Sequence, residues 1–131
     1  MRRQSRELAL QVLFQTEFAP QISYGQFLEV FEESVDPEII SYADKLVTGV
    51  QSHRQSIDDK IQASSMNWKL ERMATIDRNI IRIAVYEMKF APEPLKENIA
   101  INEAVEMAKK FGSTDSASFV NGLLDQIAKG R

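Results

Sequence analysis

The sequence has no cysteine, which excludes a disulfide framework and a zinc site with thiolate ligands. Its only histidine, His53, has no carboxylate or second ligand at metal-binding spacing, so we predict neither a metal site nor a catalytic base there. The five glycines are scattered rather than grouped in a phosphate-binding loop. Glu97, Glu103 and Glu106 resemble paired carboxylates, but on a helix that also carries lysines they fit a solvated face. These absences predict a protein that is not an enzyme and holds no cofactor.

Long apolar runs are also missing. No stretch approaches the ~20 residues that cross a bilayer, and no signal-like core follows the N-terminal arginines. We therefore expect a cytoplasmic protein.

The composition is that of an ordinary globular domain. Of 131 residues, 44% are hydrophobic and 27% are charged, which suffices for one domain, residues 1–131, with a real core. No segment alternates with a period of two for long enough to form a strand. We predict an all-α fold, a compact bundle of about seven helices.

Positive charge is concentrated at the N-terminus, although the net charge is −3. Arg2, Arg3 and Arg6 lie at the start of a helix predicted over 3–18, and no lysine or arginine follows until Lys45. Cations are disfavoured at a helix N-terminus, where unpaired N–H groups carry partial positive charge. Two interpretations stay open. One is a solvated, frayed helix end, and the other is an anion site in which arginines and N–H groups bind phosphates.

The segment 75–90 has the widest apolar surface of any predicted helix. Ile80 and Ile83 recur at helical spacing, and Ile81 and Val85 widen the apolar arc, so this helix must be covered on several sides. We place it at the centre of the fold.

The remaining face of this helix is polar. We expect Thr75 to be its N-cap, and we expect the polar face to reach solvent or a partner. That face carries Arg78, Arg82, Tyr86 and Lys89.

Start signals divide the acidic first half of the chain. Ser23 and Gln26 match a capping box for a short second helix. The sequence Asp36-Pro37-Glu38 is typical of a helix start, and the apolar positions that follow stay in phase over 37–63. We predict one long helix there, with a break in the region 49–53 as the alternative.

The last helix contains a glycine. We expect Ser113 or Thr114 to cap this helix, and Gly122 costs it roughly 1 kcal/mol relative to alanine. We expect another backbone to pass close to Gly122, with Asn121 bonded to that segment. Phe119 is then either a residue at the boundary of the core or an exposed platform on which a base stacks.

Four blocks of the chain resemble the NusB family of bacterial antitermination factors. They are RRQSRELALQVLFQTE, DRNIIRIAVYEM, INEAVEMAKKFG and SFVNGLLDQIAK, and they occur in the family's order along nearly the whole chain. The resemblance implies a bundle of two helical subdomains. It also implies binding to the boxA element of ribosomal RNA leader transcripts, as a heterodimer with the ribosomal protein NusE in the transcription elongation complex.

The resemblance assigns residues to both surfaces. The residues it implies for RNA contact are Arg2, Arg3, Arg6, Asp115, Ser116 and Phe119. Those it implies for contact with the partner are Phe14 and Asp77.

Such a small cationic cluster on an acidic protein predicts weak RNA binding in the absence of a second basic subunit. We expect alanine at the three N-terminal arginines to weaken RNA binding and leave thermal stability nearly intact. Two alternatives remain: a protein-interaction adaptor without an RNA role, and a detached NusB-like domain of a ribosomal RNA methyltransferase. The charge asymmetry also allows a homodimer of the free protein, with the arginine face of one copy against the acidic helix of another.

Overall fold

A computed structural model describes residues 2–19, 24–29 and 35–130, and the regular structure in these ranges is entirely helical. The helices are α1 (Arg2–Phe18), α2 (Tyr24–Glu29), α3 (Pro37–Ser52), α4 (Arg54–Ser64), α5 (Thr75–Val85), α6 (Glu97–Phe111) and α7 (Ser116–Ala128). A 3₁₀ turn (Leu70–Arg72) precedes α5, and a π turn (Tyr86–Phe90) extends it. The all-α prediction is confirmed. Six of these helices have 11 or more residues, and α2 has six.

The central position of α5 is confirmed. This helix contacts α1, α3, α4, α6 and α7, and the side chains of Ile80, Ile81, Ile83 and Val85 are fully buried. Around it α1 packs mainly on α3, and α6 packs mainly on α7, so α5 joins two groups of helices.

The prediction that the polar face of α5 reaches solvent or a partner is wrong for its arginines. Arg82 is buried, and its guanidinium group donates to Glu17 on α1 at 2.8 Å and to Asp58 on α4 at 2.9 Å. Arg78 donates to the same Glu17 at 2.8 Å. Burial alone would raise the pKa of Glu17, but hydrogen bonds from Arg78 and Arg82 outweigh it and lower that pKa. Ion pairs with two other helices therefore allow this charged face to be buried.

The junction of α3 and α4 follows the alternative reading, with a break at His53. The α3 helix ends at Ser52 and α4 begins at Arg54. Near the break, a Cβ at Gly49 would overlap the ring of Tyr86, so glycine lets this ring pack against α3.

Helix starts agree only in part with the sequence signals. Asp36 caps α3 as predicted, with its carboxylate accepting from the N–H of Glu38 at 2.8 Å. Thr75 is instead the first residue of α5, preceded by Ala74, which makes no side-chain cap. The proposed cap at Ser23 lies outside the described residues.

The start of α7 also differs from the prediction. Its N-cap is Asp115, which makes no side-chain capping bond, rather than Ser113 or Thr114. The N–H of Ser113 instead donates to the hydroxyl of Ser116 at 2.9 Å. Within the described ranges, no helix is long and apolar enough to span a membrane.

Candidate nucleic-acid interface

The N-terminal end of α1 is anchored by a buried ion pair. Nε and Nη2 of Arg6 donate to the two carboxylate oxygens of Glu87 at 2.7 and 3.0 Å. The hydroxyl of Tyr42 on α3 donates to the same carboxylate at 2.6 Å. Arg6 is 5% exposed and Glu87 is 2% exposed. Three helical segments therefore meet at one charged contact that is almost closed to water.

The π turn after α5 contains Glu87. The N–H of Ala91 donates to the carbonyl of Tyr86, five residues earlier, at 2.9 Å. The carbonyl of Glu87 accepts from the N–H of Leu95 at 2.8 Å. A π turn adds a residue to the helical repeat and rotates the side chains that follow it. Glu87 lies in this turn, and its carboxylate faces Arg6.

The cluster determines which of its groups are charged. Burial alone would lower the pKa of Arg6, but the hydrogen bonds and charge of Glu87 outweigh it and raise that pKa. Burial, together with the hydrogen bond to Glu87, raises the pKa of Tyr42 to about 12. Arg6 is therefore a cation, and Tyr42 is a neutral hydroxyl that donates to the carboxylate.

This geometry corrects the picture of three equivalent arginines. Arg6 belongs to the interior of the fold, and an RNA phosphate would have to displace Glu87 to reach its bonded nitrogens. The expectation that alanine at Arg6 leaves stability intact conflicts with the burial of this pair, because removing one partner leaves an uncompensated charge.

Arg2 and Arg3 are exposed. The guanidinium group of Arg2 lies 3.6 Å from the centre of the Tyr42 ring, in a cation–π contact. Arg3 donates to both oxygens of Glu103 on α6, at 3.1 and 2.7 Å, while its side chain is 57% exposed. This contact raises the pKa of Arg3 and lowers that of Glu103. Both arginines are held in place and still face solvent.

Two shallow grooves flank the start of α1, and each adds lysines to the arginines. The groove towards α3, of about 300 Å³, is lined by Arg2 and Lys45 among others. The groove towards α6, of about 330 Å³, is lined by Arg3, Lys109 and Lys110. The sequence reasoning missed these lysines as members of one surface. The lysine doublet at the end of α6 was the available signal, but only the packing of α6 on α1 gives it meaning.

Most of these cations are paired with carboxylates of the same chain, at no more than 3.3 Å. The pairs are Arg3–Glu103, Arg6–Glu87, Lys109–Glu106 and Lys110–Glu7. Glu103 is therefore not the freely solvated residue that the helix pattern indicated. A polyanion must compete with these carboxylates for the cations. This competition lowers the affinity of the surface for a polyanion when no partner protein is present.

The α7 helix follows α6 along the chain, with four residues between the two helices. Asp115 is exposed, whereas Ser116 is buried and its hydroxyl is engaged by Ser113. Phe119 is half-buried, with one side packed against the core and the other lining an open groove. The aromatic ring is thus accessible, and the serine hydroxyl closes the turn before the helix.

The residues expected to contact a partner protein lie at the other end of α1. Phe14 packs on Phe18 with ring centres 4.5 Å apart, and Phe18 is 66% exposed. Asp77 lies in the first turn of α5, which is joined to α1 by the ion pair between Arg78 and Glu17. In the described part of the chain, the buried Oδ1 of Asp77 has no hydrogen-bond partner.

Comparisons with known proteins agree with one another. The model of the NusB family matches residues 3–129. The transcription antitermination protein NusB of Bdellovibrio bacteriovorus is 77% identical over 128 residues, which span 98% of this chain and 95% of the relative. The same protein of Myxococcus xanthus is 47% identical over 133 residues, spanning 97% and 94%.

Solved structures give the same result. NusB of T. maritima matches with a TM-score of 0.88 at 36% identity, covering 98% of this chain and 91% of that chain. A crystal structure of the antitermination factors NusB and NusE in complex with dsRNA matches with a TM-score of 0.83 at 29% identity, covering 99% and 97%.

Proposed function

The chain is a member of the NusB family, and on that premise we propose that it is a transcription antitermination factor that binds RNA together with NusE. The observation that carries this function is the 77% identity to an antitermination protein over 98% of the chain. The RNA we propose is the boxA element of ribosomal RNA leader transcripts. The protein then works in the cytoplasm as a binding factor and not as an enzyme.

We assign the direct phosphate contacts to Arg2 and Arg3. Both are exposed, and contacts with Tyr42 and Glu103 fix their positions before RNA arrives. Arg6 supports these contacts from inside the fold, because its pair with Glu87 holds the first turns of α1 in place.

The start of α7 completes the RNA surface. Phe119 offers a partly exposed ring on which a base can stack. Asp115 is exposed beside it, and Ser116 supports the turn that positions both.

The need for NusE follows from the charges. At most about five cations surround the start of α1, which predicts a salt slope no steeper than about −3.5 at ~0.7 per phosphate contact with a single strand. Because internal carboxylates pair with most of them, RNA binding by this chain alone is weak. A basic partner supplies the missing contacts.

For the NusE surface we propose Phe14 and Asp77, and we add Phe18. Phe14 packs against the exposed Phe18, and aromatic side chains are enriched at the centres of protein interfaces. Oδ1 of Asp77 has no hydrogen-bond partner among the described residues, and a donor from NusE would supply one.

A gel-shift titration with a boxA-like single-stranded RNA, in the presence and absence of NusE, tests the function. We expect a shift at low protein concentration only when both proteins are present, and a weaker shift with a scrambled RNA. An adaptor without an RNA role would bind NusE, but adding it to NusE would not change the mobility of the RNA.

A further inference from the structure

A groove of about 610 Å³ lies between the loop after α4 and the outer face of α7, and none of the predicted site residues except Phe119 belongs to it. The loop contributes Met66, Asn67 and Trp68 to one wall, and α7 contributes Phe119 and Gly122 to the other. Trp68 is 57% exposed and Met66 is 91% exposed. Large apolar side chains at such exposure mark a surface that something covers.

The lining of this groove is uncharged. Every described residue that lines it is apolar or neutral and polar, the polar ones including Asn67, Ser118 and Gln126. Such a lining suits neither a phosphate nor a metal ion. It suits a flat, neutral, aromatic group whose edge carries hydrogen-bond donors and acceptors.

Gly122 forms an open part of this surface. A Cβ at Gly122 would meet no atom of the described residues within 4 Å, so the predicted close approach of another backbone is wrong for this part of the chain. A glycine inside an exposed helix is less favourable than alanine. Packing among the residues that the structure describes does not explain this glycine, whereas an occupant of the groove would.

The backbone of Trp68 is held firmly although its ring is exposed. The side chain of Gln62 donates to the carbonyls of Ser65 and Trp68 at 3.0 and 2.8 Å, and its oxygen accepts from the N–H of Leu70 at 2.9 Å. The hydroxyl of Ser65 also donates to the carbonyl of Trp68, at 3.1 Å. An aromatic ring presented from a fixed backbone loses little conformational freedom on binding.

We propose that this groove receives one unpaired base of the bound RNA, stacked on Trp68 with its edge towards Asn67 and Gln126. This inference rests on the proposed RNA-binding function. The groove shares Phe119 with the proposed RNA surface, and the last turn of α6, with Lys109 and Lys110, lies just before α7 along the chain. Single-stranded RNA needs this division, with cations for its backbone and a neutral aromatic site for a base.

The first measurement uses the fluorescence of Trp68, which is the only tryptophan of the chain. The complex with NusE is titrated with a boxA-like single-stranded RNA, and the same titration with Trp68→Phe subtracts any tryptophan of NusE. Stacking of a base predicts quenching of Trp68 that saturates together with RNA binding.

The second measurement is RNA affinity in two variants. Trp68→Ala is expected to weaken binding by about five- to a hundredfold, the range for loss of one stacked base. Gly122→Leu keeps both aromatic rings but fills the groove, and leucine favours a helix more than glycine does, so the fold is retained. Asn121→Leu places the same leucine at the preceding position, outside the groove lining, and should bind RNA like the wild type.

The outcomes separate this inference from the proposed function. Wild-type affinity in Trp68→Ala and Gly122→Leu, with unchanged fluorescence, would overturn the base site and leave RNA binding by the complex intact. If Gly122→Leu weakens binding to NusE in the absence of RNA, the groove is a protein surface and the base site is rejected. If the wild-type complex itself fails to bind the RNA, the proposed function fails with it.

Discussion

Replacing Arg6 with alanine tests the division of the N-terminal arginines into one interior residue and two surface residues. In the folded protein Arg6 makes two charged hydrogen bonds to Glu87, and both side chains are almost fully buried. The variant would leave the carboxylate of Glu87 with Tyr42 as its remaining hydrogen-bond donor among the described residues.

The expected loss is large for a single substitution. Removing one partner of a buried ion pair costs about 3–5 kcal/mol, because the other charge stays desolvated. The total free energy of unfolding of domains of this kind is about 5–15 kcal/mol. At about 3–5 °C per kcal/mol for a chain of this size, the midpoint of thermal unfolding should fall by about 10–20 °C.

Thermal unfolding followed by circular dichroism measures this effect, with Arg3→Ala as the control. Arg3 also pairs with a carboxylate, but its side chain is exposed, so its midpoint should stay within about 2 °C of the wild type. The double variant with methionine at Arg6 and Glu87 should recover much of the loss, since apolar side chains replace buried pairs well. Equal midpoints for Arg6→Ala and the wild type would refute the structural role of this pair.

Three further predictions concern the packing of two glycines, the loss of stability in acid and the surface that binds the partner. Gly49→Ala should destabilise the fold by about 1–3 kcal/mol in urea, because its methyl group overlaps the ring of Tyr86, whereas Gly122→Ala meets open space and should gain up to about 1 kcal/mol. A shift of both variants in the same direction would contradict this. The folded-state pKa of Glu103 is lowered, so its stabilisation is present above the ordinary carboxyl pKa of about 4.3 and is lost as the pH falls through the folded value. Wild type and Glu103→Gln should therefore differ most in unfolding midpoint near neutral pH and converge in acid, and a constant difference would argue against the ion pair. Asp77→Asn should weaken NusE binding by about ten- to a hundredfold in calorimetry, and unchanged affinity would remove this residue from the interface.

The apolar periodicity was sufficient to predict the all-α architecture and the central place of α5. That pattern reports burial directly, because Ile80 and Ile83 lie on the side that other helices must cover. The N-cap at Asp36 could be predicted as well, because a cap is a contact between close neighbours in the sequence.

Contacts between distant charges were not readable in the same way. Arg82 was placed on an exposed face because its neutralising partner, Glu17, lies on a different helix. Arg6 and Glu87 are 81 positions apart, and Glu87 lies in a π turn that the helical period does not predict. Helical periodicity assumes a regular helix and carries no information on which helix packs against which.

Only part of the groove between the loop after α4 and the outer face of α7 could be predicted from the sequence. The sequence analysis identified Phe119 and the cost of Gly122 to the helix, whereas no pattern in the sequence marks Trp68. The loop that carries Trp68 is positioned by Gln62, through bonds that follow from no repeating pattern.

The salt dependence of RNA binding tests the central claim most directly. The complex with NusE is titrated with boxA-like RNA at several salt concentrations, using wild type and the double variant Arg2→Ala/Arg3→Ala. The control is Lys96→Ala/Lys129→Ala, which removes two cations that line neither of the grooves at the start of α1. Loss of two phosphate contacts predicts that the slope of log K against log salt becomes shallower by about 1.4 in the arginine variant alone. Parallel lines for wild type and the arginine variant would contradict the claim that this end of α1 binds the RNA backbone.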